Sequence, residues 1–192
     1  MALMRILIYG DDRLQTQSEP LDERPADLSQ IIHDMAETMY AANGVGLAAT
    51  QVGISKRFFV LDVDQTRDDD HKKKTRRLRV FINPEILWFS DADAPYTEGC
   101  LSVPGVEAEV YRSARLRVRY RDENWQEHDE EVDGMLARVI QHEVDHLDGI
   151  LFVDRLGFLK RQTLAGQLRR LRSNREAIAD SPEVAAKGSS RL

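Results

Sequence analysis

The apolar positions of the chain follow two rhythms. In PADLSQIIHDMAETMYAANG, Leu28, Ile31, Ile32, Met35, Met39 and Tyr40 recur every three or four residues, the spacing that gathers side chains on one face of an amphipathic helix. Asn43-Gly44 ends that helix, and His33, Asp34 and Glu37 fall on its solvated side. The glycine-rich GVGLAATQVG that follows reads as a close-packed loop. RFFVLDV and RVFINPEIL read as strands. Between them DQTRDDDHKKKTRR is a charged excursion, expected to be a mobile loop, with His71 a bystander. ARLRVRYRDENWQEHDEEV alternates, with Arg115, Arg117, Arg119 and Arg121 on one face and Leu116, Val118 and Tyr120 on the other. With Asp122-Glu123-Asn124 as the turn, Arg119 meets Glu127, Arg117 meets Asp129 and Arg115 meets Glu131, so the arginine stripe calls for no nucleic acid. His128 lies on the polar return strand as a structural residue. Helical spacing returns in MLARVIQHEVDHLDGILF, through Met135, Leu136, Val139, Ile140 and Leu147. A further helix runs from near Leu156 to Ala179, with Leu164, Leu168 and Leu171 on one side. DSPEVAAKGSSRL reads as a frayed tail, which gives one domain over residues 1–179 and a flexible stretch over 180–192.

Composition narrows the class. A chain of 192 residues, 42% apolar and 31% charged, suits one soluble globular domain with a sizeable core. Its single cysteine rules out an internal disulfide and fits a reducing compartment. The opening MALMRILIYG is too short to span a membrane and has no small-residue cleavage site, so a cytoplasmic location is expected. A net charge of −6 argues against wholesale coating of DNA or RNA. Charge is unevenly placed, however: from Arg155 to Arg175 there are seven basic residues and no acidic ones.

QHEVDHLDG carries the chemistry. Four residues advance a helix by about 40°, so His142 and His146 project side by side and can share one ion, while Glu143 is turned by roughly 100°. H-E-x-x-H is the pattern of a metal site with a glutamate base; the plain alternative is a solvated polar face. A catalytic site of this kind takes three protein ligands and one open position. A third histidine ten residues after His142 would complete one known pattern, but Phe152 stands there, and no carboxylate occurs from Arg155 to Arg175. Cys100, in EGCLSVPG, remains. Alone it reads as a small buried hydrophobe; beside an unfilled two-histidine site it reads as the third ligand. The G-x-G of Gly44 and Gly46 follows a helix rather than opening one, which argues against a phosphate cradle.

GVGLAATQ, EGCLS and QHEVDHLDG, in this order and spacing, resemble the peptide deformylases, and the resemblance runs from about Arg5 to the C-terminal helix. It implies an α+β fold with antiparallel sheets around the helix that bears H-E-x-x-H, and a C-terminal helix. The implied reaction is removal of the formyl group from the N-terminal formyl-methionine of nascent polypeptides, in bacteria or an organelle of bacterial descent. Cys100, His142 and His146 would bind a divalent ion that lowers the pKa of a bound water toward about 7, giving hydroxide for attack. Glu143 would pass its proton to the leaving amine. The oxyanion would be held by the Gln51 amide and the Leu101 backbone N–H.

Gly44, Gly46 and Gly99 would let the peptide lie alongside as an added strand. Val45, Val103 and Val139 are candidates for the methionine pocket or plain core. Glu98 and Arg112 would support the cysteine loop, and Asp145 would orient a ligand histidine or be solvated. The family implies Fe(II) in the cell, while the donor set also suits Zn(II), Ni(II) or Co(II). Two departures stand at the edges: Gly10, where relatives often have proline, and an excursion longer than usual at 65–77. The basic last helix is either solvated or a dock for ribosomal RNA near the polypeptide exit. Two other readings of H-E-x-x-H stay open, a metallopeptidase of another class and a structural clamp with four protein ligands.

Overall fold

A computed structural model describes residues 3–64 and 76–180 of the chain. The centre of the charged excursion, with His71, and the tail from 181 onward lie outside the described residues. Helix α1 spans Leu28–Ala41. Strands β1 (Gly46–Ala48), β2 (Phe58–Leu61), β3 (Arg79–Phe89), β6 (Arg115–Arg121) and β7 (Glu127–Asp133) form an antiparallel sheet in the order β1-β2-β3-β6-β7. Strands β4 (Asp93–Glu98) and β5 (Ala108–Ser113) form a separate antiparallel pair. Helix α2 covers Gly134–Leu147 and α3 covers Phe158–Ala179. The class is α+β, as expected.

Two cores explain the hydrophobic runs. Leu28, Ile32, Met35 and Met39 of α1 pack with Phe58, Val60 and Ile82, while Phe59, Leu61, Phe81 and Val118 pack with Val139, Ile140 and Leu147 of α2. Strand β2 is therefore buried on both sides, which is why RFFVLDV is continuously apolar rather than alternating. Each wholly buried side chain of this size contributes about 1.5–3 kcal/mol relative to exposure. A third cluster joins Leu168 and Leu171 of α3 to Tyr9, Val103, Val106, Val110 and Phe152.

Pro84 within β3 sits at a break in the β3–β6 register between Ile82 and Glu85, where a proline costs no ladder hydrogen bond. Asn83 there takes a positive φ of 50°, and its side chain bonds both Leu21 N and Leu21 O.

The β6–β7 hairpin has the expected alternation but a register displaced from the expected one. Arg115 faces Asp133, Arg117 faces Glu131, Arg119 faces Asp129 and Arg121 faces Glu127. The loop is Glu123-Asn124-Trp125, with Trp125 in the left-handed region at φ 67°. Asp122 closes it by accepting from Asn124 N and Gln126 N. Because the displacement keeps each residue on its face, arginines still meet acids: Arg117 pairs with Asp129 at 2.6 Å. These exposed pairs contribute about 0–1 kcal/mol each.

GVGLAATQVG is not simply a loop. It holds β1 and a 3-10 turn, Ala49–Val52. The strands β4 and β5 had no counterpart in the hydrophobic pattern. In β5 the inward positions are Ala108, Val110 and Arg112, and in β4 only Glu98 is buried, so charged residues interrupt the short apolar stripe that the pair turns toward the interior.

Candidate active site

Helix α2 is the scaffold of the site. From Ala137 to Leu147 every residue is buried, so its polar side chains face protein on all sides. Its end is a Schellman turn in which Gly149 N–H bonds His146 O at 3.2 Å and Ile150 N–H bonds Asp145 O at 2.8 Å. Gly149 has φ +73°, and a Cβ there would stand 2.7 Å from the Gln15 backbone. The glycine that closes QHEVDHLDG is thus required by the turn, not by the chemistry.

The ligand-type atoms of Cys100, His142 and His146 lie within 4.8 Å of one another, the one such cluster among the described residues. Cys100 Sγ is 3.2 Å from His146 Nε2. His142 Nδ1 is 3.1 Å from Glu98 Oε2, which leaves Nε2 as the ring nitrogen on the Cys100 side. Burial works against a charged His142, but the Cys100 sulfur and Glu98 outweigh it and push its pKa up to about 10. Burial, then the neighbouring His142, drives His146 well below its ordinary value. With its Nδ1 side held by Glu98, His142 turns Nε2 toward the site, and His146 Nε2 lies beside the Cys100 sulfur, so two imidazole nitrogens and one sulfur converge as donors for one cation. His146 Nδ1 and Glu143 Oε2 are buried without a hydrogen-bond partner among the described residues. The soft sulfur and two nitrogens fit a divalent transition metal.

Glu143 lines the same small cavity as Cys100 and His142. Its volume of about 30 Å³ has room for water. Burial raises the Glu143 pKa to about 7, opposed by His142 and Arg112. Gln51 is oriented from two sides: Ala48 N–H donates to its Oε1 at 2.8 Å, and its Nε2 donates to Ser102 Oγ at 3.1 Å and points to Cys100 Sγ at 3.6 Å. The N-terminal segment braces both loops, with Leu7 N–H bonding Gln51 O and Tyr9 N–H bonding Ser102 O, each at 2.7 Å.

Gly44, Val45, Gly46, Gly99, Leu101 and Val139 line the cavity with them. Val103 is not among the lining residues; it is wholly buried in the cluster with Val106 and Phe152. At Gly46 a Cβ would overlap the Glu143 carboxylate and lie 3.0 Å from Val139 Cγ1, so a side chain there would fill the space the glutamate occupies.

Glu98, wholly buried, receives Arg112 Nε on Oε1 at 2.6 Å and Arg112 Nη2 on Oε2 at 3.0 Å. Although burial opposes its charge, His142 and Arg112 hold its carboxyl well below the usual carboxylate range. Glu98 is thus the carboxylate on the histidine. Asp145 is buried but bonds Arg112 at 2.8 Å and Arg155 at 2.5 Å rather than a histidine. Two residues had no reading from the sequence. Ser102 reaches Gln51 only through tertiary contact. Arg138, which reaches Glu98, had a local sign, a cation one turn before His142 in a largely apolar helix.

A cysteine sulfur from the loop after β4 and two imidazole donors from a buried helix, with a carboxylate in the same water-sized cavity, define a metal-dependent hydrolase. The family model described as polypeptide deformylase matches residues 3–162, and the chain belongs to that family. It is 49% identical over 163 residues to a peptide deformylase of Cytophaga hutchinsonii, covering 85% of this chain and 87% of that protein. Identity to a peptide deformylase of Rhizorhabdus wittichii is 47%, over 92% of this chain and 99% of the other. A plant peptide deformylase crystal structure superposes with a TM-score of 0.82 at 30% identity, over 92% of this chain and 93% of that one. The reaction is that of the family, hydrolytic removal of the formyl group from the N-terminal formyl-methionine of nascent polypeptides. Membership decides between the catalytic readings of H-E-x-x-H in favour of the deformylase.

Proposed function

We propose that Cys100, His142 and His146 hold one divalent ion, Fe(II) in the cell, and that Glu143, Gln51 and Leu101 carry the deformylation around it. When bound, such an ion supplies Lewis acidity and brings the ionisation of water near neutral pH. Glu143 takes the proton of the attacking water and returns it to the leaving amine. The Gln51 amide, already turned toward Cys100, and the Leu101 backbone N–H donate to the oxygen that gains charge at the formyl carbon. Segments 44–46 and Gly99 accept the peptide as an added strand, with Val45 and Val139 against the methionine side chain. Glu98 keeps the His142 Nδ1–H engaged so that Nε2 faces the ion, with Arg112 locking Glu98. The single observation that carries this reading is the buried Glu143 carboxylate, with one oxygen unpartnered, in the cavity shared with two of the three ligands.

The test is to load the metal-free chain separately with Fe(II), Ni(II), Co(II) and Zn(II) and to measure formate released from a formyl-Met peptide. Release of formate without cleavage of internal bonds is expected. In air the iron form should lose activity faster than the nickel form, because iron can pass electrons to dioxygen and its thiolate ligand can be oxidised. Equal lifetimes would count against Fe(II) bound through Cys100.

We further infer a cytoplasmic place of work beside the ribosome. No helix among the described residues is long and apolar enough to cross a membrane. On α3, Arg169, Arg170 and Arg172 are exposed and have no ion pair among the described residues. By contrast, Arg155 and Arg161 are already bound to Asp145 and Asp154. A cationic face of this kind, in which Arg172 also lies over the Tyr9 ring at 5.7 Å, attracts phosphates, with binding that falls steeply with salt. Changing Arg169, Arg170 and Arg172 to Glu should abolish co-sedimentation with ribosomes and leave turnover of a short formyl-peptide near normal; retained or salt-independent binding would refute it.

A further inference from the structure

The three candidate ligands come from two separate pieces of chain. His142 and His146 ride on α2, whereas Cys100 follows the end of β4 by two residues. Something must hold the helix and the β4–β5 hairpin at one separation. Arg138 bridges them. It is 5% exposed, one turn before His142, and its Nη1 donates to Glu98 Oε1 at 2.6 Å and Val110 O at 3.3 Å. Its Nη2 donates to Ala94 O. One guanidinium on the helix therefore grips both strands of the hairpin and the carboxylate that touches His142.

We propose that Arg138 is a positioning residue for the metal centre, bracing the histidine helix against the cysteine hairpin and helping to keep Glu98 an acceptor for the His142 Nδ1–H. The proposal rests on the ligand assignment above. Charge bookkeeping shows why Arg112 alone does not suffice. Arg112 divides itself between Glu98 and Asp145, and Asp145 also engages Arg155. Two guanidiniums thus face two carboxylates. Arg138 is the third, and Glu98 is its one carboxylate partner among the described residues; its other donors end on neutral carbonyls. Its full charge falls on the carboxylate behind the ligand.

Without Arg138, Glu98 Oε1 keeps only the Arg112 Nε contact, and the carbonyls of Ala94 and Val110 lose a buried donor. Helix and hairpin then keep the Arg112–Asp145 pair, the His142–Glu98 bond and the Gln141 amide on Ser113 O, but lose the tie to both strands, so the nitrogen and sulfur donors are held less firmly at one separation. Partners of this kind behind a ligand are worth about 10- to 100-fold in metal affinity.

The experiment loads the parent, Arg138→Met, Arg138→Lys and His142→Ala with Co(II). It records the visible absorption of the bound cobalt and the rate of cobalt loss to excess chelator, and melts the metal-free forms in parallel. Arg138→Met should release cobalt about 10- to 100-fold faster and shift the cobalt bands. Arg138→Lys, which restores the charge but not the fork, should fall between it and the parent. Parent-like release and bands in Arg138→Met, whatever its melting temperature, would overturn the proposal and leave Arg138 a structural tie. Should Arg138→Met fail to fold, Arg138→Lys decides by the same two readouts. His142→Ala separates the premises: if it keeps the parent bands and release rate, the ligand assignment falls and the proposal with it.

Discussion

Glu143→Ala is expected to bind its metal ion as the parent does and to lose about 10²- to 10⁴-fold in deformylation rate, the usual worth of a positioned general acid–base. All three candidate ligands remain in this variant, and none of their hydrogen bonds passes through Glu143. A second signature accompanies the first. Burial raises the Glu143 pKa to about 7, so at a pH above the ordinary carboxylate range its ionisation opposes folding. Truncation removes that penalty, so at alkaline pH the metal-free variant should melt no lower than the metal-free parent. Metal content, kcat/KM for a formyl-Met peptide and a thermal melt check the three parts. Normal turnover with metal bound would take Glu143 out of the mechanism.

Gln51→Leu should cost about 10²- to 10³-fold in kcat, equivalent to roughly 3–4 kcal/mol, the loss seen when one oxyanion donor is removed. The orientation of this amide is set by its surroundings: Ala48 N–H fixes Oε1, so Nε2 is turned toward Cys100 and Ser102. Leucine keeps most of the volume but leaves Ala48 N–H without its acceptor, so some loss of stability accompanies the loss of rate. The two are separable, because a stability effect lowers the folded fraction while a lost donor lowers kcat of the folded enzyme. A loss below tenfold in kcat, at full folding and metal content, would remove Gln51 from the oxyanion site.

The elements legible in the sequence are those whose partners are apolar. The helix over Leu28–Ala41 and the charged hairpin show their period because their inward faces meet hydrophobic cores, and the strand Phe58–Leu61 shows as an unbroken apolar run because both its faces do. The β4–β5 pair escaped because Glu98 is the one buried position of β4 and Arg112 follows Ala108 and Val110 on the inward side of β5, and charged residues there break the hydrophobic rhythm. The hairpin register turned on which residue takes the left-handed position, and Trp125 is not a residue the turn chemistry singles out.

The candidate ligands were legible for another reason. H-E-x-x-H is local and the cysteine is unique in the chain. Ser102 and Arg138 act across long separations, and nothing near them in the chain announces the partner. Asp145 shows the limit of local inference: it lies between the two histidine-bearing turns, yet its carboxylate goes to two arginines.

The unbroken burial of α2 from Ala137 to Leu147 has a bearing on how such a chain can diverge. In the β6–β7 hairpin alternate residues meet solvent, so half of its positions can drift at little cost. In α2 a change of size, charge or polarity meets packed protein whichever way the side chain points. Substitutions there are screened twice, by folding and by chemistry. The helix therefore tolerates fewer kinds of replacement than the hairpin does.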